Sequence, residues 1–479
     1  MMLRYFYDTQ LAQASYLAGC AATGEALIVD PNRDIDEYIA LAEREGLRIT
    51  HIAETHIHAD FVSGARELAD RTGAQLFLSD EGTPDWKYGW AADAGATLVH
   101  DGDTFMVGNL RIDVLATPGH TPEHISLLLT DTAGANEPMG IFTGDFVFVG
   151  DVGRPDLLER AAGFEGTMEA GARVLFQSLQ RFKTLPDYLQ IWPGHGAGSA
   201  CGKALGAVPS TTVGYEKRFN WGLNIEDEAQ FVASVLDGQP DPPAYFKEMK
   251  RINRDGPALV ATTPEPQHLP VDALPSMLAD GITVVDTRPG AAVAGGMIPG
   301  TIAIPAGKSF LTWAGWLMPY DRPFALIADE RDVVALAHQL RLIGLDDCAG
   351  FWSPDALITW AGTHGSLETV QQITADQLRA QTTVHAPAIV DVRNASEYAS
   401  GHISGSRNVP LGSLRNHLSE IPTDEPVIIH CQSGVRSMIA MSILTDAGRT
   451  NAVDLIGGFA SWEAAGLPIE RGAPATVGT

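Results

Sequence analysis

Two hydrophobic periods alternate along the first 250 residues of the chain. Short apolar runs such as Ala26-Leu27-Ile28-Val29 end in turn residues and predict strands. The segment after that run predicts a helix, because its apolar residues recur at helical spacing: Ile35, Tyr38, Ile39 and Ala42. The pattern therefore predicts a mixed α/β region at the start of the chain.

A proline-rich stretch follows this region. Prolines stand at positions 257, 264, 266 and 270. Proline fixes the backbone angle φ and removes a hydrogen-bond donor, so the stretch is typical of a linker. We therefore expect a first domain over residues 1–254.

Beyond the linker, the sequence repeats with an offset of 105 residues. Asp286-Thr287-Arg288 recurs as Asp391-Val392-Arg393, and Gly296-Met297-Ile298-Pro299-Gly300 recurs as Gly401-His402-Ile403-Ser404-Gly405. Each copy begins with an apolar helix, and the Thr374-x-x-Gln377 capping box opens the second of these helices. A strand ending in Asp-x-Arg follows in each copy. The repeat predicts two small parallel-sheet α/β domains, over residues 265–365 and 366–475.

Composition supports a folded protein of about three domains. The chain has 479 residues, of which 45% are hydrophobic, which is enough apolar material to build cores. The formal net charge of −27 repels phosphate backbones and anionic lipids, so neither nucleic acid nor a membrane surface is an expected partner.

Sequence features also predict the compartment. No apolar run approaches the roughly 18 residues of a membrane helix, and the first residues, Met1-Met2-Leu3-Arg4-Tyr5-Phe6-Tyr7-Asp8, lack the apolar core of a signal peptide. The four cysteines include no CxxC pair, which is typical of thiols in a reducing compartment. We expect a cytoplasmic protein.

Four short motifs of the first region place metal-competent side chains at predicted strand ends. The chain order of these motifs is His56-Ile57-His58-Ala59-Asp60, Thr117-Pro118-Gly119-His120-Thr121-Pro122-Glu123-His124, Thr143-Gly144-Asp145 and Trp192-Pro193-Gly194-His195. Any one of these histidines alone is explained as well by a surface position. The whole set in this order resembles the metallo-β-lactamase fold, an αββα sandwich, over residues 3 to about 220.

One position departs from the hydrolytic members of that superfamily. Those members carry His-x-His-x-Asp-His and bind two metals, whereas Phe61 stands here in place of the last histidine. Phenylalanine cannot ligate a metal, so the second site loses a ligand. A binuclear zinc hydrolase such as glyoxalase II is therefore disfavoured, because it needs both ions to hold a bridging hydroxide.

The sequences around the motifs resemble persulfide dioxygenases. The similar segments are ETHIHADFVSG at 54–64, the loop at 117–123, GDVGRPD at 150–156 and TTVGYEKRF at 211–219. The resemblance implies a mononuclear Fe(II) site with His56, His120 and Asp145 as ligands, a set that leaves positions open for substrate and O₂. Zinc bound by the same three residues stays open as the alternative to iron.

The same resemblance assigns supporting roles around the triad. It places His58, Asp60 and His195 beside the ligands or in the substrate pocket. Arg154 and Arg218 are candidates for binding the carboxylates of a thiol carrier, since arginine offers a planar pair of donors, and ordinary surface ion pairs explain them equally well. Cys201 is a further candidate for the pocket, and an inert buried cysteine is the alternative.

A second candidate site lies in the last predicted domain. An apolar strand ends at His430 and runs into Cys431, after which Gly434 allows a tight turn before an apolar helix. Backbone N–H groups and the helix N-terminus favour a thiolate in such a loop. The four residues between Cys431 and Arg436 form a cradle: Gln432, Ser433, Gly434 and Val435.

This loop resembles that of the rhodanese sulfurtransferases, and it is shorter than the cradle of cysteine phosphatases. The resemblance implies that Cys431 carries a sulfane sulfur and that Arg436 helps to hold it. The matching region of the earlier copy, Pro323 to Arg331, contains no cysteine and carries acids. We therefore expect an inactive rhodanese-like domain at 265–365 and an active one at 366–475.

Taken together, the chain resembles bacterial persulfide dioxygenase–rhodanese fusions of sulfide detoxification. This implies oxidation of a small thiol persulfide by O₂ to sulfite and thiol, and transfer of sulfur through Cys431 to sulfite, giving thiosulfate. Three alternatives stay open: a zinc thioester hydrolase of the glyoxalase II type, a non-enzymatic sulfur carrier, and a phosphatase. The carrier thiol, the direction of sulfur transfer and homo-oligomer formation also stay open.

Overall fold

The computed structural model describes residues 1–160, 166–203, 205–239, 242–382 and 387–472. The chain divides into two compact units. The first consists of Met1–Thr263 with His338–Asp346, and the second consists of Pro264–Ala337 with Asp347–Thr479. Residue 475, the predicted end of the third domain, lies outside the described residues.

The first unit contains two large sheets. Neighbouring strands pair in chain order in the first sheet: β1 (Met2–Asp8), β2 (Gln13–Cys20), β3 (Glu25–Val29), β4 (Arg48–Ala53), β5 (Gln75–Ser79) and β6 (Thr97–Val99). The second sheet follows the same rule: β7 (Thr104–Val107), β8 (Leu110–Ala116), β9 (Ile125–Asp131), β10 (Gly140–Gly144), β11 (Gln190–Pro193) and β12 (Thr211–Thr212). The expected strand at 26–29 is thus confirmed within β3.

The described helices of the first unit are α1 (Ile35–Arg44), α2 (Ala65–Thr72), α3 (Leu157–Arg160), α4 (Met168–Phe182), α5 (Val213–Phe219), α6 (Glu228–Leu236) and α7 (Phe246–Asp255). Helices α1 and α2 pack on the outer face of the first sheet, and α4 to α6 pack on the outer face of the second. Strand β3 shows why its sequence is apolar throughout. Ala26 and Ile28 pack with α1 and α2, while Leu27 and Val29 pack against the second sheet. A strand buried on both faces has apolar residues at successive positions, as β3 does. The helices and the two sheets form the layers of the predicted αββα sandwich.

The second unit contains two parallel sheets of similar topology. Its strands are β13 (Thr283–Asp286), β14 (Ile302–Ala303), β15 (Phe324–Ile327), β16 (Cys348–Trp352), β17 (Gln371–Ile373), β18 (Ala388–Asp391), β19 (His402–Ile403), β20 (Arg407–Asn408), β21 (Val427–His430), β22 (Ala452–Leu455) and β23 (Ile469–Glu470). One sheet has the order β14-β13-β15-β16 and the other β17-β22-β21-β18-β20, so β20-β18-β21-β22 repeats the first order. Strands β19 and β23 form a separate pair.

Helices separate the strands of both parallel sheets. They are α8 (Leu274–Ala279), α9 (Gly290–Gly295), α10 (Phe310–Leu317), α11 (Glu330–Leu342), α12 (Ala356–Thr363), α13 (Ala375–Thr382), α14 (Ala395–Ser400), α15 (Val435–Asp446) and α16 (Gly458–Ala464); three 3₁₀ segments of the chain are Pro84–Trp86, Val271–Ala273 and Leu411–Glu420. The capping box is confirmed: Gln377 N donates to Thr374 Oγ1 at 3.3 Å, and Thr374 N donates to Gln377 Oε1 at 2.9 Å.

The strand-to-helix loops of the two sheets differ in length. Between β15 and α11 lie two residues, Ala328 and Asp329, whereas Cys431 to Gly434 lie between β21 and α15. Among the described residues, no helix is long and apolar enough to pass through a lipid bilayer. No disulfide joins the four cysteines, all of which lie among the described residues.

Candidate metal centre and cysteine loop

Three buried side chains of the first unit converge as the sequence predicts. His56 follows β4, His120 lies in the loop between β8 and β9, and Asp145 follows β10. Their ligand atoms lie within 4.8 Å of one another. Asp145 Oδ2 lies 3.5 Å from His120 Nε2 and 4.0 Å from His56 Nε2. The triad is thus brought together by strands of both sheets.

Hydrogen bonds orient both imidazoles toward Asp145. His56 Nδ1 lies 2.9 Å from Thr55 Oγ1, and the Thr55 hydroxyl donates to Asp30 Oδ2 at 2.8 Å. His120 Nδ1 lies 3.1 Å from the carbonyl oxygen of Arg154, to which only a protonated nitrogen can donate. This assigns the Nδ1–H form to both rings and leaves each Nε2 lone pair available for a metal.

Electrostatics favour neutral imidazoles in the triad. Burial, assisted by neighbouring histidines, holds the pKa of His56 well below its usual value. Burial also lowers the pKa of His120, although Asp145 acts in the opposite direction. A neutral ring is the form that ligates a metal. The histidines therefore suit a metal better than they suit an ion pair with Asp145.

The carboxylate of Asp145 also fits a metal. Neither of its oxygens has a hydrogen-bond partner among the described residues, although His195 Nε2 lies 3.3 Å from Oδ1. Gly194 makes room for it, because a Cβ at that position would lie 2.7 Å from Asp145 Oδ1. Leaving a buried carboxylate without donors is costly, and a cation relieves that cost. The residues present therefore fit the metal that the motif predicts.

A second buried group lies beside the triad: Asp60, His195 and Cys201. His195 Nε2 is 3.1 Å from Asp60 Oδ2. Burial opposes protonation of His195, but Asp145 and Asp60 outweigh it and raise its pKa well above the usual value. Burial raises the pKa of the Cys201 thiol to about 12, which keeps it protonated. These three predicted neighbours of the triad are indeed together.

His58 turns toward a third buried group. Its Nε2 lies 3.3 Å from Asp30 Oδ1 and 3.6 Å from Glu54 Oε2, and its ring packs against Phe61 with centroids 4.4 Å apart. Burial opposes its protonation, but Asp30 raises its pKa to about 9. His58 thus contacts the buried carboxylates of Asp30 and Glu54.

The two arginines occupy different environments. Arg154 is fully buried, and its guanidinium donates to Asp156 at 2.9 and 2.7 Å and to the Ala200 carbonyl at 2.9 Å. Arg218 is exposed on α5, near Asp187. The backbone carbonyl of Arg154 accepts a hydrogen bond from His120 of the triad. Its side chain holds the loop before Cys201 by donating to the Ala200 carbonyl. Binding of a substrate carboxylate by either arginine stays a prediction.

The sequence analysis missed Asn253, which binds the loop between β4 and α2, here called the metal loop. Asn253 lies on α7, some 190 residues further along the chain. Its Nδ2 donates to the carbonyls of His58 and Phe61 at 2.8 and 2.7 Å, and Ser63 N donates to its Oδ1 at 2.9 Å. Asn253 lies on the buried face of α7 with Phe246 and Met249. A polar residue on an apolar helix face was the available signal.

We expect Asn253→Asp to weaken metal binding by about 10- to 100-fold, a range typical of residues that orient metal ligands. The change replaces a donor with a carboxylate that faces two carbonyl oxygens. Titration of the metal-free protein against a competing chelator measures the effect. Asn451→Asp is the matched control, since Asn451 Nδ2 donates to the carbonyls of Pro422 and Glu425 at 2.9 and 2.6 Å in the second unit. Equal affinities in the two variants would contradict the prediction.

The cysteine loop has the predicted geometry around Cys431. The cysteine is buried directly after β21, and Gly434 N donates to Sγ at 3.1 Å. Gly434 has a φ of 108°, a conformation that favours glycine, and α15 begins at the next residue. The loop therefore presents a backbone donor and a helix N-terminus to the sulfur.

The cradle side chains differ in their surroundings. Gln432 Oε1 accepts a hydrogen bond from Arg393 at 3.0 Å, while Ser433 and Val435 are exposed. Arg436 donates to both oxygens of Glu397 at 2.6 and 2.8 Å. Burial opposes charge on Arg436, but Glu397 outweighs it and raises its pKa. In this conformation, the guanidinium is bound to Glu397, and a direct role in holding the sulfur stays a prediction.

Comparison with known proteins finds a known family in each of the two regions that carry these candidate sites. The sequence profile of the metallo-beta-lactamase superfamily matches residues 8–195. A crystal structure described as a metallo-beta-lactamase from Staphylococcus aureus is 46% identical, with a TM-score of 0.66 over 74% of this chain and 99% of that one. The chain belongs to the metallo-beta-lactamase superfamily. The rhodanese-like domain profile matches residues 374–465, so this superfamily member also carries a rhodanese-like domain.

Two curated relatives carry different activities in their names. A hydroxyacylglutathione hydrolase of Rhodopseudomonas palustris is 30% identical over 259 residues, 49% of this chain and 91% of that protein. The mitochondrial persulfide dioxygenase ETHE1 of Bos taurus is 28% identical over 200 residues, 41% of this chain and 68% of that protein. Further curated relatives are matched over 54% of their own length, so the chain spans about half of those proteins.

Proposed function

We propose that this superfamily member oxidises low-molecular-weight thiol persulfides with O₂ and passes sulfane sulfur through Cys431. The observation that carries the proposal is the buried convergence of His56, His120 and Asp145. Two imidazoles and one carboxylate are the ligand set of mononuclear Fe(II) oxygenases. Fe(II), when bound there, supplies the activation of O₂ that turns a persulfide sulfur into sulfite. Similarity to a persulfide dioxygenase supports the same reading.

The chain's own residues prepare this site in three ways. Thr55 and the Arg154 carbonyl fix the tautomers of His56 and His120, so that both Nε2 atoms face Asp145. Phe61 is fully buried against His58, and its apolar ring occupies a position where hydrolytic members place a ligand. Burial of the triad places the reacting sulfur in a site of low dielectric constant, and the balanced reaction, R–S–SH + O₂ + H₂O → R–SH + SO₃²⁻ + 2 H⁺, takes up one water molecule from solvent.

In the rhodanese-like domain, Cys431 is proposed to act as the nucleophile. Its thiolate attacks the outer sulfur of a persulfide R–S–SH, which breaks the S–S bond, forms Cys431–S–SH and releases R–S⁻, and this takes a proton from solvent to become R–SH. Sulfite then attacks the outer sulfur of Cys431–S–SH, which forms thiosulfate, returns the proton to solvent and restores the Cys431 thiolate. Gly434 N–H, 3.1 Å from Sγ, stabilises the negative charge before and after transfer. The product of the oxygenase site is thus the acceptor at Cys431.

Residues 265–365 are proposed to form an inactive rhodanese-like copy. In both sheets of the second unit an arginine pairs with the aspartate two residues before it and donates to a glycine carbonyl at 2.7 Å: Arg288 with Asp286 and Gly296, and Arg393 with Asp391 and Gly401. The loop after β15 begins with Ala328 where the loop after β21 begins with Cys431. That copy therefore has no sulfur nucleophile in its loop.

We expect Cys431→Ser to keep O₂ consumption with glutathione persulfide and to accumulate sulfite in place of thiosulfate. Serine preserves the loop but is a far weaker nucleophile toward sulfur, because its hydroxyl is not ionised near neutral pH. Oxygen electrode traces and product chromatography measure the two effects. Cys348→Ser is the control, since Cys348 lies at the start of β16 in the other sheet. Loss of O₂ consumption in Cys431→Ser would show that the sites are assigned wrongly.

One observation favours a second candidate, a zinc-dependent thioester hydrolase. Asp60, His195 and Cys201 could together hold a second ion next to the triad, and hydroxyacylglutathione hydrolases are among the relatives. Metal analysis of the purified protein separates the candidates. One iron per chain with O₂ uptake supports the dioxygenase, while two zinc ions per chain with hydrolysis of a glutathione thioester supports the hydrolase. A cytoplasmic location and homo-oligomer formation stay predictions.

A further inference from the structure

A short segment of the predicted inactive copy folds with the metal loop. Residues His338–Asp346 comprise the end of α11 and the four residues after it, and they belong to the first compact unit. The other residues of the range 265–365 belong to the second unit. The contacts of this segment therefore bear on the metal site rather than on the Cys431 loop.

One peptide group of the metal loop is held on both sides. This group joins Phe61 to Val62, one residue after Asp60. The Phe61 carbonyl accepts a hydrogen bond from Asn253 Nδ2 at 2.7 Å. The Val62 N–H donates to the Leu342 carbonyl, at the end of α11, at 2.8 Å. Because a peptide group is planar, bonds to its oxygen and to its N–H fix the direction of the whole group.

A buried arginine binds the same end of α11. Arg33 Nη1 donates to the Arg341 carbonyl at 3.0 Å and to Asp346 Oδ1 at 2.5 Å. Its Nη2 donates to the Ala258 carbonyl at 2.7 Å. The last carbonyls of a helix lack their usual intrahelical donor and carry partial negative charge, so a cation stabilises them. Arg33 thus holds the helix end whose next carbonyl, that of Leu342, binds the metal loop.

Gly344 lets the chain pass close to the metal loop where α11 ends. Its φ is 75°, and a Cβ at this position would lie 2.6 Å from Ile252 Cδ1. The same Cβ would lie 3.2 Å from Met249 Cε and 3.2 Å from Val62 Cγ2. A side chain longer than a methyl group therefore has to displace Val62 or the side chains of α7. Both partners of the Phe61–Val62 peptide are affected, since α7 also carries its other partner.

We propose that His338–Asp346 is a positioning segment of the metal loop. The end of α11 holds the Phe61–Val62 peptide and thereby the loop that carries His56. A copy without a sulfur nucleophile in its loop thus contributes to the metal site. The proposal rests on the proposed metal-dependent function and deepens it. It predicts that a disturbance at the end of α11 weakens metal binding, whereas a matched change elsewhere in the first unit does not.

The test compares two glycines that end helices of the first unit in the same way. Gly344 lies two residues after α11 and Gly46 two residues after α1, with φ angles of 75° and 69°. In both turns, the glycine and the leucine after it donate their N–H groups back to the helix at 2.8 to 3.1 Å. A Cβ at Gly46 meets nothing within 4 Å. Substitution imposes the same backbone strain at both positions, but only Gly344 faces the metal loop.

Alanine and leucine are introduced at each position of the full-length protein. Titration of the metal-free protein with Fe(II) in the absence of O₂, against a competing chelator, measures metal affinity. Hydrogen exchange followed by mass spectrometry reports on the peptide that contains Val62. All measurements are made below the onset of unfolding in calorimetry, so that global stability does not enter the comparison.

We expect Gly344→Leu to bind Fe(II) about tenfold more weakly than Gly46→Leu does, which is the lower end of the range for residues that orient metal ligands. Gly344→Ala is expected to lie between them, because the smaller side chain displaces less. The Val62 amide should exchange about tenfold faster in Gly344→Leu, the effect of losing about one hydrogen bond. The two variants at Gly46 should match the wild type in both measurements.

Arg33→Met decides the proposal should Gly344→Leu fail to fold. This change removes the donors to the end of α11 and keeps the length of the side chain. Arg4→Met is its control, since Arg4 pairs with Glu45 at 2.8 Å on the surface. Affinities and Val62 exchange equal to those of the control variants would overturn the proposal. A wild-type protein that binds iron but consumes no O₂ would contradict the proposed function instead, because neither measurement requires turnover.

Discussion

His120→Ala is expected to abolish O₂ consumption and to remove the bound metal. His120 supplies one of three ligand atoms, and its Nδ1 is already committed to the Arg154 carbonyl. Orienting residues alone change metal affinity by about 10- to 100-fold, so loss of a ligand exceeds about 100-fold. Metal content and O₂ uptake with glutathione persulfide measure the effect.

The control for this experiment is His100→Ala. His100 also belongs to the first unit, but its side chain is 54% exposed, and its contacts are to Asp80 and Asp103. We expect this variant to bind metal and consume O₂ as the wild type does. Sulfur transfer from thiosulfate through Cys431 should persist in His120→Ala. Normal metal content in His120→Ala would rule out the proposed ligand set.

The second large effect concerns stability and the buried pair of Arg154 and Asp156. Both side chains are almost completely buried, and the carboxylate accepts two parallel hydrogen bonds from the guanidinium. Asp156→Ala leaves a buried arginine without this counter-charge. Breaking such a pair lowers the free energy of unfolding by about 3–5 kcal/mol. Calorimetric unfolding of the full chain measures the loss.

Asp187→Ala is the matched control for Asp156→Ala. Asp187 also pairs with a cation, Lys217 at 2.7 Å, but its side chain is 69% exposed. Exposed pairs contribute at most about 1 kcal/mol. Similar losses of unfolding free energy in the two variants would contradict a stabilising role for the buried Arg154–Asp156 pair. The Asp156 variant also loosens the segment whose carbonyl orients His120.

Local motifs made much of this molecule predictable. The αββα layers follow from apolar runs such as that of β3, and the triad follows from three motifs at strand ends. The capping box at Thr374 and the turn at Gly434 are also decided by residues close in sequence. Each of these features depends on neighbours within about one turn or one strand end, where sequence patterns are most informative.

Features that depend on side-chain direction or on distant contacts were not predictable. Arg154 is a predicted candidate for binding the carboxylates of a thiol carrier, but its buried guanidinium donates to Asp156, two residues later. Asn253 contacts the metal loop only because α7 packs against that loop. No sequence motif connects Asn253 with His56.

The lengths of the two strand-to-helix loops of the second unit also limit what a single substitution could do. The loop after β15 has two residues before its helix, and the loop after β21 has four. Replacing Ala328 with cysteine would therefore add a nucleophile to this loop. The loop would still lack the turn of backbone N–H donors that follows Cys431. A point mutation cannot supply the two missing residues, so a cradle like that of Cys431 could be built after β15 only by an insertion.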